Sequence, residues 1–272
     1  MTKGNNRKKI VIYVMSVLLL SLSCSAALAV KGPQKVENTV HNLSWTSPEA
    51  APGLKYGADE TWICVFCHTP HGGSLEGPLW NHETPDAAAF THYNSTTLSG
   101  TLRGLSANRV LNDESLLCMS CHDGSVSVYS VHNLNNDRGG APYETYYYNP
   151  GDTDLRIVGI AGASSARIGG NPQAGDHNGT KRLEDDHPVS FSYQAVWEDP
   201  VYQSSGAKYL ELNDPDSAVA DGVRFFGATK RMECSSCHDP HVDYTAAGNT
   251  AYAPFLITPN ANSAMCLACH NK

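Results

Sequence analysis

A five-residue pattern, Cys-x-x-Cys-His, occurs four times: Cys64-Val65-Phe66-Cys67-His68, Cys118-Met119-Ser120-Cys121-His122, Cys234-Ser235-Ser236-Cys237-His238 and Cys266-Leu267-Ala268-Cys269-His270. Together these use eight of the nine cysteines. The spacing is that of covalent haem attachment. One tight turn presents two thiols to a porphyrin edge and an imidazole to its iron as proximal ligand. Structural zinc also takes C-x-x-C pairs, but it needs no histidine directly after each one. A disulfide framework in an exported chain would likewise leave the four histidines unexplained. The pattern therefore predicts four covalently bound haem c groups, and that prediction constrains everything else the chain can fold into.

The first residues read as a leader. Lys3, Arg7, Lys8 and Lys9 precede an apolar run from Ile10 to Leu20, and Ala27-Leu28-Ala29 offers small residues for cleavage. The run is short for a membrane span. Cys24 would suit a lipid anchor, but Ser21 stands where such a site has Leu. The expectation is a signal peptide over residues 1–29 and an exported chain without a membrane span. Export suits the haems, which are attached outside the cytoplasm. Removing four basic residues and no acidic one from 19 and 27 leaves 15 and 27, a balance of −12. Haem propionates make the loaded chain more acidic still. That excludes a nucleic-acid partner, which calls for a basic surface, and favours other redox proteins as partners.

Four large flat cofactors shared among ~243 residues leave about sixty residues for each. The predicted fold is a mostly irregular, coil-dominated chain, with short helices at the motifs, few short strands and the haems as core. Its predicted parts are an N-terminal dihaem unit over 30–132 that begins with an extended arm, a loop-rich insertion over 133–182, and a C-terminal dihaem unit over 183–272. Asn112 to Leu117 reads as a capped helix start, and Ser125 to Val131 alternates as a strand does. Within the insertion, Asp152, Asp154 and Asp176 suit a solvated acidic loop better than a calcium site.

A repeat underlies the chain. The motifs at Cys64 and Cys234 have the longer form C-x-x-C-H-x-P-H, ending in His71 and His241, whereas those at Cys118 and Cys266 lack the second histidine. One histidine precedes each long motif, His41 and His187. Each half thus holds two proximal histidines (His68 and His122; His238 and His270) and two spare ones, enough to ligate both irons on both faces. Met119, Met232 and Met265 lie inside or beside motifs and are badly placed as sixth ligands, so His41, His71, His187 and His241 are the predicted distal set. His71 and His241 start on the same face as their own proximal histidine and so are expected to reach a neighbouring haem. His82, His92, His132 and His177 fall outside the pattern, as exposed or propionate-bonding residues.

The paired arrangement resembles the multihaem cytochromes with a doubled CXXCH domain. His41-Asn42-Leu43-Ser44, C-x-x-C-H-T-P-H, Asp186-His187-Pro188-Val189-Ser190-Phe191 and the segment from Cys266 to Lys272 resemble the tetrahaem outer-surface cytochromes of OmcE type. The resemblance implies bis-histidine low-spin haems and extracellular electron transfer at the outer surface. It also implies a homopolymeric filament in which a histidine of one subunit ligates a haem of the next, a role for which His41 is the candidate by position. The alternatives are a monomeric periplasmic carrier and a multihaem reductase of nitrite or hydroxylamine type. A reductase needs an open iron, whereas here the motifs are complete and the spare histidines outnumber the empty positions. The expectation is electron transfer to redox proteins and extracellular acceptors, not catalysis.

Overall fold

A computed structural model describes residues 32–44, 62–74, 77–106, 109–123, 132, 182–184, 186–199 and 212–271. The leader, the strand expected at Ser125–Val131, nearly all of the insertion, its three aspartates and His177 lie outside the described residues. Regular elements are short. Among the described residues they comprise helices α1 (Gly100–Ser106), α2 (Asp113–His122), α3 (Tyr193–Trp197), α4 (Pro215–Ala220) and α5 (Ala264–Cys269), four two-residue strands, and several single 3₁₀ turns. Strands β1 (Thr91–His92) and β2 (Arg182–Leu183) pair in parallel, and β3 (Phe191–Ser192) and β4 (Arg231–Met232) pair antiparallel.

Local chemistry starts and stops these pieces. Asp214 caps α4 by accepting from the Asp216 and Ser217 amides at 3.1 and 3.0 Å, with Pro215 in the first turn where its missing N–H costs nothing. Ser192 caps α3 through the Ala195 amide at 3.0 Å. The cap expected at Asn112 takes a different form: its backbone is extended, but its side chain leaves the helix and donates to Glu233 at 2.9 Å. At α5, Ser263 has φ 62°, a left-handed turn that re-aims the chain into the fourth motif.

Two small apolar clusters form. Leu102, Phe191, Tyr193, Val196, Ala218, Val223, Phe225, Met232, Ala268 and Cys269 make one, which packs around the fourth motif. Phe90, Leu111, Leu116, Met119 and Leu183 make the other, against the helix of the second motif. Tyr193 is buried in the first cluster, and its hydroxyl donates to the Asn213 and Cys269 carbonyls at 2.7 and 3.2 Å, tying α3 to the end of the chain.

Of the segment expected as an extended arm, the described residues 32–44 meet the loop after the third motif. Gln34 bridges Val242, the Lys35 amide donates to His241 O at 2.9 Å, and the Asp243 amide donates to Pro33 O at 2.7 Å. Asn38 adds a side-chain bond to Asp243 at 2.9 Å. A Cβ on Gly32 would lie 3.0 Å from a Val242 methyl, so the close approach suits glycine. The backbone of 33–38 finds its partners on the loop after the third motif, and residues 32–272 form one compact unit. Among the described residues, no helix is long and apolar enough to cross a membrane.

Candidate metal centres

The four motifs take two backbone forms. The long ones sit on 3₁₀ turns (Ile63–Phe66 and Cys234–Ser236), the short ones on α2 and α5. In both forms the histidine falls one turn after the first cysteine. His68, His238 and His270 amides donate to the Cys64, Cys234 and Cys266 carbonyls at 2.7, 3.1 and 2.9 Å. All eight cysteines are free thiols. Burial pushes Cys67 up to about 11 and Cys121 up to about 12, so these thiols stay protonated. Successive motifs also influence one another: Cys67 helps to raise the thiol pKa of Cys121, Cys234 that of Cys118, and Cys269 and Cys266 that of Cys237.

The repeat seen in the sequence reappears around the long motifs. His68 Nδ1 donates to Pro78 O at 3.0 Å, and His238 Nδ1 donates to Pro254 O at 2.9 Å. The residues after these prolines, Leu79 and Phe255, both have positive φ, 55° and 57°. His68 then bridges Trp80, and His238 bridges Leu256. Asn81 and Ile257 donate to the Cys67 and Cys237 carbonyls, each at 2.9 Å. A carbonyl can only accept, so each ring is held as the Nδ1–H tautomer with its Nε2 lone pair free for a metal. The prolines stand ten and sixteen residues after their histidines. That unequal spacing hid them from the sequence pattern.

Three histidine pairs carry the geometry. His41 and His122 have ring centroids 6.1 Å apart, His68 and His241 6.3 Å, and His187 and His270 6.4 Å. Each joins a proximal histidine to one of the predicted distal set. An imidazole nitrogen sits about 2 Å from a metal it ligates and about 1.2 Å from its ring centre, so two rings opposed across one ion stand about 6.4 Å apart. The spacings fit a six-coordinate iron between each pair, and the flanking Cys-x-x-Cys thiols fit a covalently held porphyrin. His241 lies beside His68, the histidine of another motif, with its Nδ1 donating to Asp239 at 2.7 Å; that bond raises its pKa. His187 Nδ1 donates to Pro188 O at 2.9 Å. His41 faces His122 of its own chain, and burial, with His122 beside it, pushes its pKa down to about 3, leaving it neutral.

His71, the remaining member of the predicted distal set, is exposed, with its carbonyl accepting from Thr69 Oγ1 at 2.9 Å. Of the histidines outside the pattern, His132 is exposed but His82 and His92 are buried, contrary to an exposed setting.

Sequence reasoning missed Glu233. Its side chain is fully buried and gathers Asn112 Nδ2 (2.9 Å), Ser115 Oγ (2.6 Å), Ser190 Oγ (2.9 Å) and Arg231 Nε (3.1 Å). Ser115 Oγ in turn accepts from the Cys234 amide at 3.1 Å. This carboxylate clamps the start of α2, and with it the second motif, onto the third. Among the described residues, no group of three or more His, Cys, Asp or Glu is gathered to hold a bare metal ion. No protein-family model matches the chain, and no curated protein matches it.

Proposed function

We propose that this chain is a tetrahaem c-type cytochrome that carries electrons through closely spaced bis-histidine haems. The single observation behind the reading is the set of three histidine pairs at 6.1–6.4 Å, each uniting a motif histidine with a predicted distal one. The haems, when bound, supply a one-electron couple. The residues do the rest. Cys64 and Cys67, Cys118 and Cys121, Cys234 and Cys237, and Cys266 and Cys269 anchor the four groups. Pro78 and Pro254 carbonyls and the Asp239 carboxylate hold imidazole tautomers, and saturation by two histidines excludes substrate. The Ser115–Cys234 bond, which ties the helix of the second motif to the third motif, supports a path whose middle step follows chain order.

Extracellular electron transfer in a homopolymeric filament is the finer reading, carried by the resemblance in sequence. His41 is not proposed as its link, because its ring faces His122 and its segment is docked on its own chain. The second reading is a reductase with one open iron. A second imidazole on every iron, with His71 serving the His238 position, fits the carrier; a substrate would need one iron open. Haem counting by mass spectrometry and electron paramagnetic resonance of the oxidised native protein test both. Four haems, all low-spin, are expected. A high-spin signal worth one haem would favour the reductase, and a chain that matures without haem would overturn the cytochrome reading. Electron microscopy of the native protein decides between filament and monomer.

A further inference from the structure

Away from the histidine pairs, Arg109 and His92 form a buried polar cluster with more donors than acceptors. Arg109 is 7% exposed and His92 4%. Arg109 Nη2 donates to Tyr93 O at 3.1 Å, but its Nε and Nη1 are buried without a hydrogen-bond partner, and so is Nε2 of His92. The two residues are neighbours, since the Arg109 guanidinium disfavours a charge on the His92 ring. Burial pushes Arg109 down to about 10, and burial, then Arg109, pushes His92 down to about 4. Phe90 and Leu111, each two residues away along the chain, belong to the second apolar cluster.

A guanidinium does not give up its proton in a protein, and a buried charge without a counter-charge is among the costliest things a fold can contain. The uncommitted nitrogens therefore call for an anionic acceptor at this place. A carboxylate is the best match to a guanidinium, with two oxygens able to take several N–H bonds at once. We propose that Arg109, with His92 beside it, is the seat of a haem propionate. This inference rests on the tetrahaem reading above, which brings carboxylates besides those of the polypeptide. A seated propionate also reverses the charge environment at His92, favouring an imidazolium whose Nε2–H becomes a further donor.

The test uses the haem-loaded full chain. Four haems by mass in the wild type establish the cytochrome reading independently of this seat. Spectroelectrochemical titration of Arg109→Leu is then expected to move one of the four haems to lower potential, because the propionate charge that Arg109 balances is left bare and favours the ferric state. Arg109→Lys, which keeps the charge, is expected to stay near wild type. Four loaded haems with unchanged potentials in Arg109→Leu would overturn the seat and leave the cytochrome reading standing. An experimental structure of the holoprotein is the second measurement, independent of whether the leucine variant matures. A propionate oxygen within hydrogen-bond distance of Arg109 Nε or Nη1 is expected, whereas an Asp or Glu side chain, or only solvent, there overturns the proposal.

Discussion

Replacing Glu233 by Ala tests how the second and third motifs are held together. The substitution strips one buried carboxylate from four donors: Asn112, Ser115, Ser190 and Arg231. Hydrogen bonds to a charged group contribute about 1.5–3 kcal/mol each, but they are not additive. Ser115 keeps its bond from the Cys234 amide. Arg231 keeps Glu114 at 2.8 Å and reaches solvent, its side chain being 29% exposed, so its share is discounted for screening. Leaving the donors of Asn112, Ser115 and Ser190 without their acceptor costs about 1–3 kcal/mol each, less than additively, so about 3–5 kcal/mol is the expected loss. For a unit of this size, about 2–4 °C of Tm go with each kcal/mol, so the midpoint should fall by about 6–20 °C. Glu233→Gln should lose less. Its oxygen can stay on Asn112 and Arg231, and its amide can donate to the hydroxyls of Ser115 and Ser190, which are able to accept. Thermal unfolding of haem-loaded protein by circular dichroism is the assay. A Glu233→Ala midpoint within about 2 °C of wild type would refute the clamp.

His241→Ala should remove the second imidazole from the iron on His68, giving one high-spin or ligand-accessible haem; unchanged visible and paramagnetic spectra would count against the pair. His41→Ala should do the same to the iron on His122 at every protein dilution, whereas a loss that depends on concentration or assembly would point to ligation between chains. The ring planes of His68 and His241 lie 12° apart, and those of the other two pairs 81° and 70°. Parallel axial imidazoles split the iron's π orbitals and perpendicular ones leave them nearly degenerate, so the oxidised protein should contain one rhombic and at least two highly anisotropic low-spin signals; a single uniform type would contradict the geometry. Gly73→Ala places a Cβ 2.7 Å from Trp80 O and 2.9 Å from Leu79 C, backbone atoms with little room to yield. It should cost about 1–3 kcal/mol, visible as a lower midpoint, while Gly104→Ala on α1, where a Cβ meets nothing within 4 Å, should not.

The sequence by itself determined where the four thiol–thiol–imidazole turns fall, because such a turn is a local object whose spacing is written in consecutive residues. It also set the division into long and short motifs, which the backbone repeats as 3₁₀ turns and α-helices. Histidine counting reached the distal candidates but not their assignments, since which imidazole faces which depends on loops closing over long separations. Thus His41, expected on an extended arm, is held by hydrogen bonds from Pro33, Lys35 and Asn38 to a loop some 205 residues away. Glu233 looked like any surface glutamate until four donors from three segments converged on it. His92 was legible only as an exposed or propionate-bonding histidine and Arg109 not at all, because burial without an acceptor is a property of packing and leaves no trace in spacing or composition. Local covalent geometry is legible in a sequence; the burial of a charge and the pairing of distant rings belong to the tertiary structure, which alone brings together groups that the chain keeps apart.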